Sequence, residues 1–230
     1  MEVLPGIHAI DAVGAKVLLL EEERLTLIDA GGPGSAGRVL GYVVALGREP
    51  EEVDRIVLTH AHIDHAGSLA ELQRATGAEV WVHEREADWV AGEAEPPPLV
   101  PNPLVDSVLR PVVRSRPTPV TRRLRDGDWL PLLGGARVVH VPGHSPGSIA
   151  LHVPSRRTLI VGDALQVRWG RLTLPSRLFT ADMAAARRSI ARLAQLDVDV
   201  LVFSHFRVRR GAVRAELAAL ADRCAEQVPA

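Results

Sequence analysis

Three imidazoles and a carboxylate fall within six positions of the chain, in the segment Thr59-His60-Ala61-His62-Ile63-Asp64-His65. Imidazole nitrogen and carboxylate oxygen are the donors that a borderline cation such as zinc accepts. The segment follows an apolar run at 55–58 and precedes a helical pattern. In extended backbone alternate side chains share a side, so His60 and His62 point the same way and can hold one ion together. Asp64 and His65 come after the chain bends and can reach a second ion. A polar turn with chance histidines is the plain alternative; it would suffice for a lone histidine but not for this cluster.

Further donors sit elsewhere at the ends of apolar runs. His144 lies in Val141-Pro142-Gly143-His144-Ser145-Pro146-Gly147, Asp163 in Val161-Gly162-Asp163-Ala164, and His205 in Phe203-Ser204-His205-Phe206. With the first cluster they make seven donors, enough for two ions and a shared carboxylate. Two cations bridged by a carboxylate can share a water, whose pKa falls from about 15.7 to about 7. A metal-bridging hydroxide can then attack an ester-like carbonyl while one metal polarises the carbonyl oxygen. Asp64 is the best-placed acid/base, able to orient the hydroxide and carry a proton to the leaving group. Asp29 is a candidate to orient a ligand by hydrogen bonding, with a turn-capping role as the equal alternative. Thr59, at the head of the motif, and His83, at the end of a strand pattern, are pocket candidates. His8 and His152 lie within strand patterns, His140 is expected to point into a sheet, and Tyr42 lies in a helical pattern.

These donors need strands that end together. Ile7–Asp11, Lys16–Leu20, 25–29, 55–58 and Glu79–His83 read as strands. Val39, Val43 and Leu46 fall at helical spacing, as do Leu69, Leu72 and Ala75 ahead of Gly77. After the turn Arg125-Asp126-Gly127-Asp128, strands are expected at 137–141, Ile149–Val153, 158–162 and 199–203. Thr180 is placed to cap a helix carrying Met183, Arg187, Ile190, Leu193 and Ala194, and Val213, Leu217, Leu220 and Cys224 mark a closing helix. The expectation is an α/β fold: two halves, about 1–93 and 124–230, each a sheet with helices on one face. Stacked, they form a four-layer αββα sandwich within a single domain, 1–230. Between them residues 96–119 contain eight prolines and no sustained periodicity. The joining segment, about 94–123, carries Leu99, Val100, Leu104, Val105, Val108 and Leu109 together with Arg110, Arg114, Arg116, Arg122 and Arg123. It is expected to be an arm over the metal mouth or against a second subunit, its arginines meeting a substrate carboxylate or phosphate, with a variable surface loop as the plain alternative.

Composition narrows the function classes. The 230 residues are 47% hydrophobic and 24% charged, an ordinary globular balance. The net charge of −1 offers no field for nucleic acid. No apolar run approaches the roughly 20 residues of a membrane span, and Met1-Glu2-Val3 supplies no basic leader. Cys224 is the only cysteine, so no intrachain disulfide or cysteine zinc site can form. A cytoplasmic protein is therefore expected, with a small-molecule substrate, no nucleic-acid or membrane partner, and a second copy of itself as candidate partner.

The chain resembles the metallo-β-lactamase superfamily over nearly its whole length. The resemblance is carried by Leu27-Ile28-Asp29-Ala30-Gly31, the Thr-His-Ala-His-Ile-Asp-His segment, the Pro-Gly-His-Ser-Pro-Gly turn, Gly-Asp-Ala and the late histidine. It implies that His60, His62 and His144 hold one metal, that Asp64, His65 and His205 hold the other, and that Asp163 bridges them. It also implies the same αββα sandwich and two divalent ions, zinc first, with iron or manganese as alternatives. Pro142 to Ser148 and Gly162-Asp163-Ala164-Leu165 look most like the branch that includes glyoxalase II-like proteins, whose C-terminal helical substrate domain has no counterpart in the 25 residues after His205. Weak turnover of a bulky glutathione thioester is therefore expected. Ser204 and Phe206 stand where many members have glycine. True β-lactamases of the family lack this bridging Asp, which argues against β-lactams as substrate. Some lactonases carry a Tyr just after it, which Ala164-Leu165-Gln166 does not. The implied function is a dinuclear metal-dependent hydrolase of a small thioester, ester or lactone. Alternatives are a mononuclear iron persulfide dioxygenase, which would leave several of the seven donors idle, a nuclease-type member and a non-catalytic metal-binding protein.

Overall fold

The computed structural model describes residues 1–96 and 115–226. The chain forms two compact units, Met1–Arg123 and Leu124–Ala230.

In the first unit, β1 (Glu2–Leu4), β2 (Ile7–Asp11), β3 (Lys16–Leu20) and β4 (Leu25–Ile28) run antiparallel in chain order. β5 (Val53–Val57) then pairs parallel to β4, and β6 (Glu79–His83) parallel to β5. β7 (Arg122–Leu124) completes a seven-stranded sheet. Parallel neighbours need a crossover. Helix α1 (Ala36–Ala45) supplies the first, burying Ala36, Val39 and Val43. The short α2 (Ile63–Ala66) and α3 (Leu69–Thr76) supply the second. Leu69 and Leu72 are fully buried on α3, each contributing roughly 1.5–3 kcal/mol. The third buried position on that helix is Thr76, not the expected Ala75, which is exposed. α4 (Glu84–Ala91), absent from the sequence reading, buries Glu86, Ala87 and Val90.

The second unit holds β8 (Trp129–Leu130), β9 (Ala136–His140), β10 (Ile149–Val153) and β11 (Thr158–Ile160), all antiparallel neighbours. β14 (Val200–Val202) pairs parallel to β11, and β15 (Arg209–Arg210) closes a six-stranded sheet. A hairpin of β12 (Gln166–Arg168) and β13 (Arg171–Thr173) stands apart. Helix α5 (Met183–Leu193) makes the crossover to β14, and α6 (Val213–Glu226) buries Val213, Leu217, Leu220 and Cys224 as expected.

The structure corrects several expectations. Asp29 is not part of β4: its φ of 65° takes the chain out of the strand. Asp182, not Thr180, caps α5, its carboxylate accepting from the Ala184 and Ala185 amides. Thr180 instead donates to the Ser176 carbonyl. The Pro-rich arm lies, over 97–114, outside the described residues. Of its described arginines, Arg116 faces Glu71 at 3.9 Å, Arg122 stacks over Trp81 at 4.6 Å, and Arg123 pairs with Asp88 at 2.6 Å. The far end of the joining segment, through Thr118 to Val90 and Thr121 to Val80, is thus tied to the first unit.

Candidate metal centre

Parallel strands in open α/β sheets gather functional side chains beyond their carboxyl ends. In the first unit Asp29 follows β4, the His60 segment follows β5, and His83 ends β6. In the second, Asp163 follows β11 and His205 follows β14, while His144 follows the antiparallel β9.

The first unit presents four of the donors from one turn. His62 is extended and opens α2, so Asp64 and His65 lie on its first turn. The ligand atoms of His60 lie within 4.8 Å of those of His62 and of His65, and those of Asp64 within 4.8 Å of those of His65. Ring centroids are 4.7 Å apart for His60 and His62 and 4.1 Å for His60 and His65. Donors at about 2.0–2.1 Å around one tetrahedral ion stand about 3.4 Å apart, so such spacing suits a shared cation.

Asp29 organises this turn. It is fully buried, and it accepts from the Thr59 amide at 2.7 Å, from the Thr59 hydroxyl at 2.9 Å and from His65 Nδ1 at 2.7 Å. A carboxylate only accepts, so His65 carries its proton on Nδ1, which leaves Nε2 as the nitrogen able to bind a cation. The Thr59 hydroxyl spends its one hydrogen on Asp29 and so accepts from His60 Nδ1, 3.1 Å away, which leaves Nε2 of that ring able to bind a cation too. Of the two readings of Asp29 in the sequence, ligand orientation is the one that needs these hydrogen bonds to the motif. Asp29 itself is held by its loop: the Ala30 amide donates to the His65 carbonyl at 2.6 Å, and Ser68 bridges the Ser35 amide and the Gly32 carbonyl.

Glu86 is the supporting residue that sequence reasoning missed. It is buried on α4 and its carboxylate accepts from the Ala61 amide at 2.6 Å, fixing the backbone between His60 and His62. Ala87 and Val90 at helical spacing and the stop at Gly92 could have revealed α4; nothing in the local pattern marks Glu86 as buried. His83 caps α4, its Nδ1 accepting from the Arg85 amide at 3.3 Å. Gly14, on the β2–β3 turn, has no room for a side chain, since a Cβ would stand 2.6 Å from the Asp64 Cβ.

The second unit brings three donors together from separate loops. Asp163 Oδ2 lies 3.6 Å from His144 Nε2 and 3.2 Å from His205 Nε2, so one carboxylate oxygen faces two imidazoles. His144 is 4% exposed in a turn braced by the Ser145 and Ser148 hydroxyls, 2.8 Å apart. Gly143 beside it has a φ of 141°, and a Cβ there would lie 2.4 Å from the Ala186 amide on α5. Only glycine lets this turn approach the helix so closely. Phe206 packs at 5.7 Å against Phe203, which gives the position after His205 a core role. Nitrogen and oxygen donors with no thiolate, in both units, fit a divalent transition metal.

The comparisons with known proteins identify the family. The family model described as the metallo-beta-lactamase superfamily matches residues 11–205, spanning the donors of both units. A probable metallo-hydrolase, YflN, of Bacillus subtilis (strain 168) is 30% identical over 96% of this chain and 92% of its own length. A hydroxyacylglutathione hydrolase of Fuscovulum blasticum is 30% identical over 85% of this chain and 62% of its own. The crystal structure of a metallo-beta-lactamase family protein from Thermus thermophilus aligns with a TM-score of 0.73 at 25% identity, covering 98% of this chain and 81% of that one. The fold is thus the α/β metallo-beta-lactamase fold that the sequence led us to expect, and the chain belongs to the metallo-beta-lactamase superfamily.

Proposed function

We propose that the protein is a dinuclear metal-dependent hydrolase that cleaves an ester-like carbonyl in a small thioester, ester or lactone. In this reading His60, His62 and His144 hold one cation, Asp64, His65 and His205 the other, and Asp163 serves both. The observation that carries it is Asp163 Oδ2, set between His144 Nε2 and His205 Nε2, because a carboxylate shared by two imidazoles is the arrangement a bridging ligand needs. The family model, running unbroken through both units, supports joining the two donor sets. Zinc is the first choice of metal on donor type.

Bound cations supply a water that ionises near neutral pH and a Lewis acid for the carbonyl oxygen. The chain's residues do the rest. Asp29 and Thr59 hold His65 and His60 in one tautomer, so the rings do not reorganise during turnover. Asp64, with a third of its side chain exposed, is the motif carboxylate that a substrate can reach. It holds a proton at its carboxylate oxygen and passes it to the departing alcohol or thiol. The hydroxyacylglutathione hydrolase relative supports a thioester as the first substrate to try. A single buried cysteine fits a reducing, cytoplasmic setting.

The test is a panel of small thioesters, esters, lactones, phosphodiesters and persulfides offered to metal-loaded protein. Turnover of a carbonyl substrate that is lost in Asp64→Asn while metal content is kept supports the reading. Turnover confined to phosphodiesters or persulfides would overturn it.

A further inference from the structure

Away from the donor set, the second unit contains a cavity of about 310 Å³, the lower end of small-molecule sites. Four arginines wall it, Arg168, Arg177, Arg187 and Arg223, with the hydroxyls of Thr173 and Ser176 among them. No carboxylate lines it among the described residues. Other arginines of this unit find acids: Arg157 pairs with Asp199, Arg192 with Asp126 and Arg209 with Glu216. Among the described residues Arg168, Arg177 and Arg223 have no ion-pair partner. Arg223 donates only to a neutral acceptor, the Leu172 carbonyl at 3.3 Å, and Arg187 donates to the Met183 carbonyl at 3.4 Å.

Cations gathered around one hollow repel one another, and an anion placed among them turns that repulsion into attraction. Guanidinium forks match the oxygens of phosphate or carboxylate, and the Ser176 hydroxyl adds a donor, while that of Thr173 donates to the Gln166 carbonyl. The rest of the wall is apolar: Leu174, Met183, Leu220 and Cys224. Burial pushes the Cys224 thiol up, against the pull of Arg187 and Arg223, so it stays neutral and offsets none of the positive charge. A ligand that fills the cavity therefore needs an anionic head and an apolar body. We propose that this cavity binds a small organic oxyanion, a phosphate or carboxylate on a compact apolar group, at a site separate from the metal ligands. The wall segment is also tied to the His144 turn, since the Ala181 amide donates to the His144 carbonyl at 3.2 Å and the Asp182 amide to the Gly143 carbonyl at 2.9 Å. Trp169, Leu178 and Phe179 are exposed on the segments that carry Arg168 and Arg177, which would also suit a membrane surface. The concave shape favours a small molecule.

Calorimetric titration of the full chain with phenyl phosphate, benzoate and inorganic phosphate tests this. The expected result is saturable one-to-one binding of phenyl phosphate or benzoate, tighter than inorganic phosphate. It should weaken about tenfold or more in Arg177→Gln and in Arg223→Gln, each at an exposed position. The same binding should persist in chelator-treated protein and in a His60→Ala, His62→Ala variant, whatever becomes of the metal centre. Binding lost with the metal but unchanged in the arginine variants would place the anion at the metal ligands and overturn the proposal. So would failure of both organic anions, including the case in which only anionic vesicles bind.

Discussion

The two units present their candidate metal donors in opposite ways. The first delivers His60, His62, Asp64 and His65 from one turn after β5 and surrounds them with acceptors that fix their orientation: Asp29, Thr59 and Glu86. The second delivers His144, Asp163 and His205 from three separate strand ends, and their contacts centre on Asp163. A local motif can be preorganised by its neighbours, whereas a dispersed one depends on how well each loop is braced. Substitutions should therefore act through side-chain orientation in the first unit and through the Asp163 carboxylate and loop geometry in the second.

The largest effect is expected at Asp163. Asp163→Ala removes the carboxylate that His144 and His205 both face, and should release at least one metal and lower kcat by about 10²-fold or more. Elemental analysis together with steady-state rates checks this; full metal content and full activity would break the comparison on its second side. Next comes Asp29→Asn. Asn tolerates the positive φ of 65°, but its amide cannot accept from His65 and Thr59 together. Metal affinity should fall about 10- to 100-fold, measured by competition with a chromogenic chelator. Glu86→Ala leaves the Ala61 amide without this acceptor, at a cost of about 1–3 kcal/mol in unfolding experiments. It should weaken metal binding less than Asp29→Asn, and Glu86→Gln should restore most of the loss. Equal effects of Glu86→Ala and Glu86→Gln would show that Glu86 acts by its charge and not by holding the turn.

How legible these features were follows the same division. The donor motif of the first unit shows in sequence because its chemistry is contiguous, and its strands show because they are apolar and bounded by turns. His144, Asp163 and His205 could be read only as residues past apolar runs, since their mutual approach is tertiary. Asp29 stood out for its type at a strand end; its three accepted hydrogen bonds depend on a left-handed backbone that no pattern announces. Glu86 was invisible because charged residues in a helix are ordinarily solvated. Thr180 suits the α5 cap by residue type, but Asp182, two positions on, has the extended backbone and accepts from two amides.

The smallest expected effect concerns that cap, which anchors the helix against which Gly143 packs. Asp182→Ala should cost about 1 kcal/mol, and Thr180→Ala less, in thermal unfolding. The amides of Ala185 and then Ala184 hold the Asp182 carboxyl below its ordinary value. Its contribution is thus complete above the unfolded value of about 3.9 and is lost as pH falls through the lower native one. The gap between wild type and Asp182→Ala should accordingly close in acid.

If both donor sets serve metal ions, metal content per chain reveals it. Protein purified from metal-rich medium should carry about two divalent transition ions per chain, zinc foremost, and chelator-treated protein should take up the same number on titration. Protein that retains none and binds none on titration would contradict the account.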